Sequence, residues 1–144
     1  MNSLQILTCN YQEKTTEIVN VRKRVFQDEQ GISASLEFDG FDASAVHLLA
    51  YSNDLAVGTA RIRETEQNTA KLERLAVLPE YRQQGIGTQL MKVAIATVIQ
   101  QNKSRVIVHA QAYIAPLYRQ LGFKAIGNLF TEAGIPHVKM ILHL

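Results

Sequence analysis

The chain has 144 residues, 47% of them hydrophobic, and its 15 Lys and Arg against 13 Asp and Glu leave a net charge of +2. That apolar content suffices for one core, so a single domain spanning 1–144 is expected, and the near balance of charge gives no footprint for a nucleic-acid partner. A lone Cys9 excludes an intrachain disulfide framework and a cysteine zinc site; with neither a secretory leader nor an 18-residue apolar run in the sequence, a cytoplasmic protein without a membrane partner is expected.

Leu4, Ile6 and Thr8 alternate as in a short strand, and Ile18, Val21, Val25 and Phe26 fall at helical spacing within Thr15–Glu29. From Gly31 to Asp42, glycines, serines and aspartates interrupt any long element and leave room for one helical turn. The runs His47–Tyr51 and Leu55–Arg63 flank Ser52, Asn53 and Asp54, a composition suited to a tight reversal between antiparallel strands, and Lys71–Leu78 forms a third run. After Pro79, Ile86, Leu90, Val93, Ala94, Thr97 and Val98 share one helical face. Val106–Ala110 reads as a buried strand, Ala115–Leu121 as a short helix closed by Gly122, and Val138–Leu142 as a last strand. The expected fold class is α+β with a mixed sheet.

Chemistry concentrates where the strand ending at Pro79 meets the helix opened by Arg82-Gln83-Gln84-Gly85-Ile86-Gly87. Unpaired amides and the positive end of the helix dipole favour a phosphate there, Gly85 and Gly87 remove side chains that would block close approach, and Arg82 adds a cation. A dinucleotide loop would need a third glycine and a nucleoside-triphosphate loop a Lys-Ser/Thr pair; neither is present. A turn of the same composition without a ligand is the remaining reading.

The run from Glu73 through Arg82-Gln83-Gln84-Gly85-Ile86-Gly87 resembles the acetyl-CoA motif of the GNAT N-acetyltransferases, Arg/Gln-x-x-Gly-x-Gly/Ala. Leu117-Tyr118-Arg119-Gln120-Leu121-Gly122-Phe123 is similar to a second motif of that family, and Phe26–Ile32 and Glu132–His137 extend the likeness over nearly the whole chain, toward a bacterial subgroup. The resemblance implies a strongly twisted mixed β-sheet flanked by helices and splayed between its fourth and fifth strands, Leu72–Leu78 and Arg105–Gln111. It implies acetyl-CoA as donor and an amine as acceptor, joined by direct attack in a ternary complex.

Under that resemblance the pantetheine arm lies along Leu75, Ala76 and Val77, with an amide near Ala76 or Val77 facing the acetyl oxygen. The pyrophosphate meets Arg82, Gln83, Gln84, Gly85, Ile86, Gly87 and Thr88. Tyr118 is the expected acid toward the departing thiolate, against the alternative of a helix-end ring packed in the core. Glu73 is the expected base if strand alternation puts it on the face of Leu75 and Val77; a bulge would change that phase, and a solvated strand-edge carboxylate is its other reading. Gln111 stands where many relatives carry Asn and is expected beside the cofactor arm. His109 shares its face with Gln111 and Ile107 and is placed near the acceptor or as a structural histidine.

Glu29, Asp39, Asp42, Glu132 and His137 fall in the loops where acceptor recognition resides in the family, and an acidic rim there would suit a cationic amine. His47, His137 and His143 have no metal-ligand spacing, so no metal is expected. The acceptor is a small-molecule or peptide amine. A non-catalytic acyl-CoA sensor or interaction module is the competing reading, a nucleic-acid-binding domain ranks last, and edge strands together with Val138–Leu142 allow a homodimer.

Overall fold

The computed structural model describes residues 3–144, in which one seven-stranded sheet carries four α-helices. The strands are β1 (Leu4–Cys9), β2 (Val46–Ser52), β3 (Leu55–Glu66), β4 (Thr69–Val77), β5 (Arg105–Gln111), β6 (Lys124–Glu132) and β7 (Ile135–His143), in the order β1-β2-β3-β4-β5-β7-β6. All neighbours are antiparallel except β4 and β5, so the expected mixed sheet is present. The parallel ladder joins Thr69–Leu72 to Arg105–Val108 and stops there, while β4 continues to Val77 and β5 to Gln111. That divergence is the splay expected between the fourth and fifth strands.

The helices are α1 (Thr15–Arg22), α2 (Ala34–Glu37), α3 (Ile86–Gln100) and α4 (Ala115–Gln120). The helix expected over Thr15–Glu29 exists, but its second half, Lys23–Glu29, winds as a π-helix, and a bond from Gln30 N to Val25 O at 3.1 Å closes it. Ile18, Val21, Val25 and Phe26 are all buried, so the wider turns keep the apolar stripe on the sheet. One strand, β6, escaped the sequence pattern. It lies at the sheet edge, eight of its nine residues are exposed and Gly127 interrupts it at φ +74°, so no apolar alternation marks it. Glu132 and His137, expected in a loop, therefore sit on the β6–β7 hairpin.

Alternation along β3 separates two environments. Gly58, Ala60 and Ile62 face the apolar layer under α3, where Leu90, Met91, Ala94 and Val98 are fully buried. A Cβ at Gly58 would stand 3.0 Å from Leu90 Cδ1 and 3.3 Å from Ile86 Cγ2, so this glycine sets how closely α3 lies on the sheet. Gly58→Ala is expected to cost about 1–3 kcal/mol by overpacking, read as a lower midpoint in urea at unchanged m-value. Thr59 and Arg61 face the opposite side, toward α1.

Candidate active site

Beyond Leu72 and Val108 the diverging strands open a cavity of about 340 Å³, walled by Glu73, Arg74 and Leu75 of β4 and His109, Ala110 and Gln111 of β5. Tyr118 closes one part of the wall, and Phe26, Gln30 and α2 residues another. In this stretch β4 has no partner on its β5 side, which leaves that edge of its backbone open to a ligand that pairs like a strand.

β4 carries the bulge that decides the direction of Glu73. Arg61 opposes Glu73 and Thr59 opposes Ala76, so Arg74 and Leu75 together face Ala60 alone, and Arg74 adopts φ +55°. Glu73 therefore shares a face with Ala76 and not with Val77: the simple alternation is corrected by one extra residue. Its carboxylate is 4% exposed and held by Arg61, by Arg63 at 2.7 Å and by Lys71 at 3.9 Å. Burial alone would raise its pKa, but the Arg61 hydrogen bond and charge, with Arg63 and Lys71, outweigh burial and hold it below the ordinary range. A carboxylate so engaged is a weak proton acceptor and a durable negative charge.

Two of the expected rim acids, Asp39 and Asp42, are neutralised in the same way. Asp42 is buried against Arg22 at 2.6 Å and Arg61 at 3.0 Å, and Asp39 binds Arg61 at 2.8 Å and Arg74 at 3.1 Å. Both carboxylates are held below the usual range, since arginine hydrogen bonds overcome the opposing effect of burial. Arg22 also binds Glu37. His47 belongs to this layer too: fully buried, it donates Nε2–H to the Asp42 carbonyl at 2.9 Å, and burial lowers its pKa. These residues form the support behind one wall.

At the other end of the fork, Gln83 (φ +62°) and Gly85 (φ +79°) turn the chain into α3, whose first turn has no side-chain cap. The leading amides are thus unpaired within the helix, and no atom lies within 4 Å of where a Gly85 Cβ would be. Ile86 is buried and offers backbone only, whereas Arg82, Gln83, Gln84 and Gly85 are exposed and Gly87 and Thr88 half-buried. A Cβ on Gly87 would lie 3.4 Å from Leu117 of α4 and 4.0 Å from Val77 of β4, so the turn into α3 adjoins both the fork and the Tyr118 helix.

The end of the π-helical segment and the residue after it meet Arg82 and Gln111. Arg82 is gripped by Glu29 through two bonds of 2.5 and 2.6 Å, and its Nε donates to Val77 O at 3.0 Å. Gln111 exchanges amide hydrogen bonds with Gln30 at 2.9 and 3.1 Å. Sequence reasoning gave Gln30 no role; the wider winding of Lys23–Glu29, which brings it to β5, has no simple periodic signature.

Tyr118 is 4% exposed and packs edge-on against Phe123 at 5.4 Å between centroids. Burial, aided by Tyr113, pushes its phenol pKa well up, so it stays protonated. Across the cavity, His109 Nδ1 lies 3.4 Å from Glu132 Oε1, and His137 Nε2 lies 3.6 Å from Glu132 Oε2. Lys71 stands near, its pKa lowered by burial despite Glu73 and Glu132.

Residues 10–144 match the family described as the Acetyltransferase (GNAT) domain. The chain is 40% identical over 123 residues to a Bacillus subtilis (strain 168) protein provisionally named an acetyltransferase, covering 83% of each. Among solved structures, a provisionally named N-acetyltransferase from Lactobacillus plantarum superposes with a TM-score of 0.91 at 26% identity, covering 99% of both chains. An acyl-CoA N-acyltransferase from Pseudomonas aeruginosa gives 0.86 at 25% identity, covering 96% of this chain and 99% of that one. With an uncapped helix start beside a splayed parallel pair, and with matches of this extent, the chain belongs to the GNAT acetyltransferase family, a family of acyltransferases.

Proposed function

We propose that residues 1–144 act as one N-acetyltransferase domain that binds acetyl-CoA in the fork and passes its acetyl group to a small-molecule or peptide amine. The observation that carries this reading is continuity: the uncapped start of α3, the open β4 edge and the Tyr118 cavity adjoin one another. Bound acetyl-CoA would supply the activated thioester. The turn Gln83–Thr88, with Arg82, receives its pyrophosphate, Leu75, Ala76 and Val77 pair with its arm, and Gln111 reaches the arm after releasing Gln30. Tyr118, protonated and nearly water-free, offers its hydroxyl to the sulfur. Glu73, committed to Arg61, Arg63 and Lys71, fixes the wall of the fork behind the acceptor.

The sensor reading is favoured by one feature, the prior engagement of Arg82 by Glu29 and of Gln111 by Gln30. Calorimetric titration with acetyl-CoA, run beside thiol release over a panel of amines and peptides, separates the two. Binding together with amine-dependent thiol release is expected, and binding without release from any amine would favour the sensor. Failure of acetyl-CoA to bind would overturn the proposal. In the same titrations Arg82→Ala is expected to weaken binding about tenfold through loss of a charge-assisted phosphate contact, while Glu29→Gln, which frees Arg82, tightens it a few-fold.

A further inference from the structure

Taking N-acetyl transfer as the activity, we propose that His109 is the general base, with Glu132 its positioning carboxylate. Strand register puts the relevant groups on one face. Lys71 opposes Ile107, so Lys71 and Glu73 of β4 lie on the side of His109 and Gln111; Lys139 and His137 oppose those two residues from β7, and Phe130 opposes His137 from β6. Glu132 opposes Ile135 and completes that face. His109, Glu132 and His137 all line the cavity.

The hydrogen bonding sets the tautomer. Glu132, whose pKa is lowered chiefly by its bond to His109, is an ionised acceptor, so the proton sits on His109 Nδ1 and Nε2 keeps its lone pair. Phe130 packs edge-on against the His109 ring at 5.2 Å and beside His137 at 5.8 Å, which limits rotation of both. His137 is anchored separately, its Nδ1–H donating to Ile135 O at 2.7 Å. Glu73 is less suited, being committed to Arg61, Arg63 and Lys71.

In the step, the acceptor ammonium gives one proton to His109 Nε2, and the imidazolium formed is paired with Glu132. The freed amine lone pair forms the C–N bond to the acetyl carbon as the C–S bond breaks. The second amine proton goes to Tyr118 as the Tyr118 hydroxyl proton passes to the thiolate, and His109 later returns its proton to water. No oxidant or further reactant is needed.

The charged groups that face His109 are Lys71 and Glu73 from β4, Glu132 from β6 and His137 and Lys139 from β7, with Arg63, Arg74, Glu37 and Asp39 around the same cavity. For that reason the test compares variants rather than reading one limb. With the best amine of the panel, His109→Gln is expected to lower kcat about 10²–10⁴-fold at unchanged acetyl-CoA affinity, to abolish the acidic limb of kcat/KM, and to be rescued in part by added imidazole. Glu132→Gln is expected to lower kcat more than it changes KM. Independently of turnover, ¹⁵N NMR of the full chain should show His109 as the Nδ1–H tautomer, and Glu132→Gln should redistribute it. A His109→Gln enzyme within about threefold of the parent, or one that keeps the acidic limb, would overturn the proposal; so would an Nε2–H tautomer, even if no amine is turned over. Loss of acetyl-CoA binding by the parent would instead strike the transferase reading itself.

Discussion

Tyr118→Phe is expected to lower kcat on the order of 10²-fold, with acetyl-CoA affinity held and thermal stability almost unchanged. The ring would keep its edge-on contact with Phe123, and only one hydroxyl would leave a side chain that is 4% exposed. Loss of a buried hydroxyl without loss of shape costs about 1 kcal/mol or less when no partner is stranded. A packing role therefore predicts parallel small losses in stability and rate, whereas an acid role predicts a rate loss alone. The pH dependence adds a second criterion. Because burial pushes the phenol above its ordinary value of 10.0, Tyr118 remains a donor through the mildly alkaline range, and no fall in kcat with its signature is expected below that value. Thiol release against pH for parent and variant checks this: an alkaline limb near pH 10 that disappears in Tyr118→Phe would mean that the hydroxyl is less buried in the working enzyme. An undiminished kcat in the variant would leave Tyr118 as a core ring.

The parts of the site legible in the sequence are those built by local rules. Gly85 and Gly87 before an apolar helical stripe mark the turn into α3 as a candidate anion site, because positive φ at Gly85 and an unpaired helix start are properties of a few consecutive residues. Tyr118 is picked out by the likeness of residues 117–123 to a GNAT motif and not by a local rule, and it lies in the short helix α4. What escaped depends on residues distant in sequence. Arg74 takes positive φ in mid-strand with no glycine to announce it, so the face of Glu73 became clear only from the pairing of Arg61 with Glu73 and Thr59 with Ala76. Asp39 and Asp42 read as rim acids because nothing local shows that Arg61, about twenty residues on, is folded beneath them. Likewise His109 and Glu132 meet through β7, a neighbour of both β5 and β6, and β6 itself has no periodic signal.

The other large effect expected is on stability, from Arg61→Met. Arg61 is fully buried, binds Asp39, Asp42 and Glu73, and lies behind the wall of the fork. Removing one partner of a buried ionic group strands the others at a cost of about 3–5 kcal/mol; Arg22, Arg74 and Arg63 still serve the three carboxylates, so the lower end is expected at pH 7. For a chain of this size about 3 kcal/mol is roughly a 10 °C fall in melting temperature. The sign of the pH dependence tests the cause. Asp39, Asp42 and Glu73 are all held below their unfolded values, so the stabilisation they bring is complete above about pH 5, clear of the unfolded values, and is lost as pH falls through the folded ones. In the parent, stability should thus fall steeply in acid. In Arg61→Met the same carboxylates are less depressed, so the variant should lose less on acidification, and the gap between the two proteins should narrow from pH 7 to pH 3. Urea denaturation at both pH values reads that gap directly. A gap of constant size would assign the loss to packing of the long Arg61 side chain, and no gap at pH 7 would mean that the three remaining arginines hold the carboxylates without it.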